Sequence, residues 1–379
     1  MSSAYLPNQV FIEKGVTRSI ITERVLERLS GVPVYIIDSV EQLREKARTQ
    51  TPTISVGKRT LVLTRHQGSF FKSCPASRTR GEAANVCCNY FVINFASNCH
   101  MECSYCYLQA YLNFPYIVVH ANIEDLTGEL ESALAASPGS FFRIGTGELA
   151  DSLALDPLTG YAQRLVEFFA AQRNAVLELK TKTDCVEGLL GLEHRGRTVV
   201  AWSMNTRYVQ KQEEHKTDSI EDRLRAARKC ADSGYRLGFH FDPLVHYPDW
   251  ESDYRRLVGE IFDTVPAAAI AWFSIGSLRM TSGLRDTMRS RFPRSFLPLG
   301  ELVPCPDGKL RYAKSIRTRM YVKVLEWIRA RASASTGVYA CMERPEVWSR
   351  VFETSPPADS EIGELVTAGV QSDSFRSQS

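Results

Sequence analysis

From residue 90 onward the chain alternates between short runs rich in β-branched and aromatic residues and longer stretches with apolar positions at helical spacing. The strand candidates are YFVINF (90–95), SFFRIGT (140–146), AVLELKT (175–181), TVVAWSM (198–204), YRLGFHF (235–241) and AAIAWFSIG (268–276). Helical stretches lie between them, near 123–136, 159–172, 219–232, 250–263 and 281–291. The stretch at 219–232 has the clearest boundaries. Ser219 can cap it, Asp222 sits in its first turn, Glu221 and Arg225 are spaced to pair, and Gly234 can close it. Six βα units in succession predict an α/β protein with a parallel sheet, doubly wound or barrel-like.

The flanks read differently. Residues 1–85 form an N-terminal α/β extension, with strand candidates PVYIIDSV (33–40) and TLVLTR (60–65) around a charged helix, EQLREKART (41–49). Residues 72–86 are polar and turn-rich and read as a loop. The stretch LVPCPDGKLRYAKS (302–315) predicts a β-hairpin around Pro-Asp-Gly, with a helix following at about 316–333. The division is therefore 1–85 extension, 86–300 main α/β body, 301–354 hairpin and C-terminal helical region, and 355–379 a disordered tail.

Composition narrows the class. Among 379 residues, 44% are hydrophobic and 23% charged, which excludes a disordered or collagen-like chain. No apolar run approaches the ~20 residues of a membrane helix. The opening MSSAYLPNQVFIEK has no basic stretch followed by an apolar one, so the expected location is cytoplasmic, with no membrane partner. Formal charge is +3, and the acidic tail conceals a body of +6, which makes a basic face more plausible.

Ten cysteines are present, and three fall together in Asn98-Cys99-His100-Met101-Glu102-Cys103-Ser104-Tyr105-Cys106-Tyr107, directly after the strand YFVINF. In a reducing compartment such a cluster reads as metal-binding before it reads as disulfides. The C-x3-C-x2-C spacing suits three corners of a 4Fe–4S cluster, leaving one iron open. An open iron can hold the amino and carboxylate groups of S-adenosylmethionine (AdoMet) for one-electron cleavage. A zinc site with His100 as fourth ligand is the alternative, but no second Cys-x2-Cys pair accompanies it.

The stretches GSFFKSCP (68–75), VCCNYFVINFASNC (86–99), HMECSYCYLQAY (100–111), LKTKTDCV (179–186), WSMNTRYV (202–209), FSIGSLR (273–279) and DGKLRYAKSIR (307–317) resemble the spore photoproduct lyase family of radical-SAM enzymes. The resemblance implies a partial (β/α)6 barrel, with cluster and cofactor at the C-terminal ends of the strands and a C-terminal β-hairpin that meets DNA. It implies an adenosyl radical that takes hydrogen from a methylene-bridged thymine dimer, whose linkage then breaks. Cys99, Cys103 and Cys106 match the cluster ligands. Lys182, Ser203 and Asn205 match positions around AdoMet. Tyr105 and Tyr107 match aromatic positions flanking the last cysteine, one toward adenine and one toward substrate. Arg311 and Tyr312 match the hairpin pair that approaches the lesion, as nucleic-acid contacts. A one-electron reductant such as flavodoxin or ferredoxin is implied as partner.

Two departures stand out. The family carries a hydrogen-returning cysteine after strand two, whereas this chain reads Arg143-Ile144-Gly145-Thr146-Gly147-Glu148-Leu149-Ala150-Asp151, with no cysteine between Cys106 and Cys185. Gly147 and Glu148 instead resemble a Gly-Gly-Glu type motif that holds the AdoMet amino group. The second departure is Phe239-His240-Phe241-Asp242-Pro243 at the end of strand five, where His240 and Asp242 share a face as an acid/base or substrate-orienting pair. Three functions remain open: a lyase on a pyrimidine photoproduct in DNA, a radical-SAM enzyme on another nucleotide, RNA or small molecule, and a DNA-binding protein with a structural cluster. The absent thiol leads to the expectation that AdoMet is cleaved reductively but spore photoproduct is repaired poorly.

Overall fold

The structure is a computed structural model, and it describes residues 5–49, 52–75, 85–356 and 358–376. Its main sheet has eight strands. In spatial order they are Gly337–Ala340, Ile270–Ser277, Arg236–Leu244, Thr198–Ser203, Ala175–Thr181, Phe142–Gly145, Tyr90–Ile93 and Phe71–Ser73. All neighbours pair in parallel except the edge strand Phe71–Ser73, which runs antiparallel to Tyr90–Ile93. The parallel strands are numbered below from first (Tyr90–Ile93) to seventh (Gly337–Ala340). The sheet curls far enough that Arg143 on the second strand donates to the Tyr339 hydroxyl on the seventh at 2.8 Å. Val86 and Glu343 form a β-bridge across the same closing seam. The architecture is thus the expected partial barrel, with one strand, Gly337–Ala340, beyond the six anticipated.

The strands form here because both faces are covered. Ala175, Val176, Leu177, Glu178 and Leu179 are all buried, as parallel strands beneath helices must be. Helices such as Tyr161–Ala170 supply the outer cover with Leu165, Val166 and Phe169. Burying each of those side chains stabilises the fold by about 1.5–3 kcal/mol. The helix at Ile220–Asp232 is capped by the Ser219 hydroxyl, which accepts from the Asp222 amide, and Gly234 follows it at φ 82°. Its expected Glu221–Arg225 pair does not form. Arg225 pairs with Asp222, and Glu221 reaches Arg207 instead.

Three boundaries differ from the sequence reading. The N-terminal sheet is ordered Val34–Ile37, Gln9–Glu13, Thr60–Thr64, Ile117–His120 and Ala96–Ser97, so the extension draws two strands from beyond residue 85. The segment IVVH is short enough to have been lost between the cluster loop and the next helix. The hairpin strands Val303–Pro304 and Leu310–Arg311 are joined by a third, Arg279–Met280. The expected disordered tail carries a helix, Asp359–Arg376, whose Ile362, Val366 and Val370 are buried against the barrel. Its acidic composition hid three apolar residues at i, i+4 and i+8, one helical stripe. Most of the loop expected at 72–86 lies outside the described residues.

Candidate active site

The cysteine loop follows the first barrel strand and is anchored on several sides. Asn98, at φ 73°, accepts from the Cys99 amide at 2.9 Å and donates to the Pro115 carbonyl at 2.9 Å. Lys58 of the N-terminal unit donates to the Met101 carbonyl, and Glu102 pairs with Lys58 at 3.5 Å and Arg291 at 2.7 Å. Glu102–Cys103 pairs antiparallel with Glu214–His215. The three cysteines share one packed cluster with Met101, Ala154 and Tyr105.

This donor set fits an iron–sulfur cluster better than zinc. Burial pushes the Cys99 thiol up to about 12 and Cys103 well above its ordinary value, and neighbouring thiols of the trio add to both shifts. A cationic cluster removes that penalty by holding the groups as thiolates. Three thiolates with no fourth protein ligand suit a cubane with one open iron better than the closed four-ligand shell of structural zinc. His100 stacks on Tyr5 with ring centroids 5.4 Å apart rather than joining the thiols.

The expected cofactor residues gather at the C-terminal ends of the second to fourth strands. Gly147 lies against Lys180; a Cβ there would stand 3.1 Å from the Lys180 Cε. The Glu148 carbonyl accepts from the Tyr107 hydroxyl at 2.6 Å, tying the cysteine loop to the turn after strand two. Lys182 donates to Tyr105 at 3.0 Å and to Glu214 at 2.9 Å, while Tyr105 also donates to Glu214. Ser203 is buried at the end of the fourth strand, and its carbonyl accepts from Arg223. Asn205 donates to the Pro243 carbonyl at 3.1 Å and accepts from Tyr254. It braces the fourth strand against the fifth.

The other expected residues are placed differently. His240 and Asp242 do not pair with each other. His240 lies inside the barrel with its Nε2 2.5 Å from Glu178 Oε1, and Asp242 forms a two-pronged pair with Arg279 at 2.8 and 2.9 Å. Burial lowers the His240 pKa, and the Glu178 carboxylate opposes that shift. For Glu178 burial pulls upward, but His240 and Arg143 outweigh it and hold the carboxyl down to about 2. Arg311 does not face solvent. It is 1% exposed and clamped by Asp307 at 2.5 and 2.7 Å. The Tyr312 hydroxyl accepts from the His246 amide at 3.2 Å, so this side chain too is turned inward.

Sequence reasoning missed the barrel interior itself. Arg143, Glu178, Lys180 and Arg279 line it, as do thiols. Arg143 approaches Cys88 Sγ at 3.5 Å and Arg279 approaches Cys341 Sγ at 3.9 Å. The signal was present as charges at positions 178, 180 and 182 of an otherwise apolar strand, two apart and therefore on one face. Tyr90 also points in, and Gly145 makes room for it: a Cβ at 145 would lie 1.6 Å from the Tyr90 hydroxyl.

A parallel half-barrel with three thiols on the loop after its first strand is the layout of a radical-SAM enzyme. Residues 5–319 match the model of the spore photoproduct lyase family, and the chain belongs to that family. It is 28% identical over 304 residues to spore photoproduct lyase of Geobacillus sp. (strain Y412MC61), covering 78% of this chain and 86% of the relative. It is 26% identical over 308 residues to that of Bacillus subtilis (strain 168), covering 79% and 86%. A solved spore photoproduct lyase complexed with dinucleoside spore photoproduct superimposes at TM-score 0.79 and 25% identity, covering 89% of this chain and all of that one. A double mutant of the lyase with bound AdoMet and dinucleoside spore photoproduct gives TM-score 0.78, with the same identity and coverage. Membership makes the chain a radical-SAM lyase with a 4Fe–4S cluster and AdoMet as its cofactors. No helix among the described residues is long and apolar enough to cross a membrane.

Proposed function

We propose that this chain repairs a methylene-bridged pyrimidine photoproduct in DNA, holding the cluster on Cys99, Cys103 and Cys106. The observation that carries this reading is the packed thiol trio above a polar barrel interior. When bound, the cluster and AdoMet supply a carbon-centred radical that takes hydrogen from the substrate. Gly147, Glu148, Lys182, Ser203 and Asn205 seat AdoMet, with Glu148 accepting from its ammonium. Tyr105 and Tyr107 fix the cysteine loop against Glu214 and the turn after strand two. Glu178 and Arg279 hold His240 and Asp242 in place around the substrate. A flavodoxin or ferredoxin supplies the electron, and the enzyme works in the cytoplasm, where its DNA lies.

This reading departs from the expectation of poor repair. A thiol need not follow strand two to serve as hydrogen donor. Cys88, two residues before the first barrel strand, lies 3.5 Å from the Arg143 guanidinium. Burial raises its pKa, which keeps the S–H that a donor needs. Cys88 would return one hydrogen atom to the product radical, and the thiyl radical left on its sulfur would be restored by one electron from the flavodoxin or ferredoxin and a proton. The test is anaerobic reconstitution with AdoMet, dithionite and a dinucleotide photoproduct, with products read by mass spectrometry. Clean thymidylyl-thymidine supports the reading; 5′-deoxyadenosine without loss of photoproduct defeats it.

A further inference from the structure

We infer that Lys180 seats a single negative charge carried by the substrate, and that the group it takes is the phosphodiester joining the two nucleosides of the lesion. The inference rests on the lyase reading above and adds the chemical form of the substrate.

The argument begins with charge. Glu178 and Lys180 are two apart on the third strand and face the barrel interior together. The interior holds three cations, Arg143, Lys180 and Arg279, against two carboxylates, Glu178 and Asp242. Arg143 lies 3.6 Å from Glu178, and Arg279 grips Asp242 with both nitrogens. His240 shares a 2.5 Å hydrogen bond with Glu178. Of the three cations, Arg143 and Arg279 each have a carboxylate partner, and Lys180 is the one left without. Among the described residues its ammonium has no hydrogen-bond or ion-pair partner. Lys180 shares the strand face of buried Glu178, and its stem runs against Gly147 at the end of the second strand.

The surroundings suit an incoming polar group. Gly147 leaves room for the Lys180 stem: a Cβ there would stand 3.1 Å from Cε and 3.2 Å from Cβ of Lys180, closer than an ordinary contact. On the first and sixth barrel strands the Tyr90, Ser274 and Ser277 hydroxyls are buried without hydrogen-bond partners. A half-buried ammonium with no counter-charge is costly, and one anion removes the cost. A phosphodiester carries one negative charge that Lys180 can pair, and an uncharged dinucleoside carries none. Lysine is suited to the task as a compact point charge for phosphate. The same oxyanion chemistry is offered by the AdoMet carboxylate, and the experiment separates the two.

The reconstituted enzyme with AdoMet is titrated with the dinucleotide photoproduct and with the dinucleoside that lacks the phosphate. Wild type is expected to prefer the dinucleotide by roughly tenfold or more, the scale of a charge-assisted hydrogen bond. Lys180→Met should abolish the preference while leaving AdoMet affinity and the cluster absorbance unchanged, and Lys180→Arg should retain it. A variant that loses AdoMet affinity and keeps the preference assigns the charge to the AdoMet carboxylate and overturns the proposal. Equal affinities in wild type overturn the phosphodiester seat while the lyase reading stands. If wild type binds neither compound, the lyase reading itself fails and this inference with it.

Discussion

Lys182 places its ammonium 2.9 Å from the carboxylate of Glu214, whose side chain is wholly buried, and Arg223 grips the other oxygen of that carboxylate at 2.7 Å. Burial pulls the Glu214 pKa upward, but Lys182 and Arg223 outweigh it and hold it down to about 2. The carboxylate therefore adds stability above its unfolded pKa, near 4.5, and loses that contribution as pH falls toward 2. Lys182→Met removes one partner of a buried pair and should cost ~3 kcal/mol in urea unfolding at pH 7. It should also move the acid unfolding midpoint to higher pH and weaken AdoMet binding. Unchanged AdoMet affinity would remove Lys182 from the cofactor site while leaving its structural role.

Arg311 is a test of the hairpin. Because it is buried against Asp307, Arg311→Ala should lower stability by roughly 3 kcal/mol through the unpaired carboxylate. Burial pulls Asp307 upward, yet Arg311 outweighs it and holds the carboxyl down to about 2, so the pair stabilises above pH ~4 and fades in acid. The salt dependence of duplex binding should stay as in wild type, since no phosphate contact is removed. A shallower salt slope in Arg311→Ala would show that Arg311 swings out to reach DNA.

Asp156 offers a pH test with the opposite sign. It accepts from the Ala162 amide at 2.7 Å, and burial raises its pKa to about 6. The folded state thus binds a proton that the unfolded state releases near 3.8, and stability falls as pH rises between those values. Asp156→Asn keeps the acceptor and removes the charge. It should raise thermal stability at pH 8, by about 1–3 kcal/mol, and change little at pH 4.

Much of this architecture was legible because helices and strands of the barrel are long and strongly patterned. The cysteine spacing gave the cluster loop at once. The interior was harder. Glu178, Lys180 and Lys182 sit in an apolar strand as charges on one face, yet nothing local tells that Arg143, His240 and Trp272 converge on Glu178 from three other strands. Arg311 misled for a related reason. An Arg-Tyr pair in a hairpin reads as exposed until Asp307, four residues earlier, is seen to fold back on it. The terminal helix Asp359–Arg376 was hidden because its Ile362, Val366 and Val370 are few among acids and serines. Its stability comes from packing on the barrel rather than from its own composition.

The hydrogen donor can be separated from the neighbouring thiols. Cys88→Ser should leave AdoMet cleavage intact but divert the product radical, so that side products appear in place of clean thymidylyl-thymidine. Cys341→Ser, which removes the thiol near Arg279, should leave the product pattern unchanged. Clean repair by the Cys88→Ser enzyme would assign the donation to another group.

The central claim is that the thiol trio and the polar barrel interior together perform photoproduct repair. Its most direct test is a single anaerobic time course with reconstituted enzyme, AdoMet, dithionite and dinucleotide spore photoproduct, followed by mass spectrometry. The expected result is multiple-turnover release of thymidylyl-thymidine that disappears in Cys103→Ala. Formation of 5′-deoxyadenosine with the photoproduct left intact would contradict it.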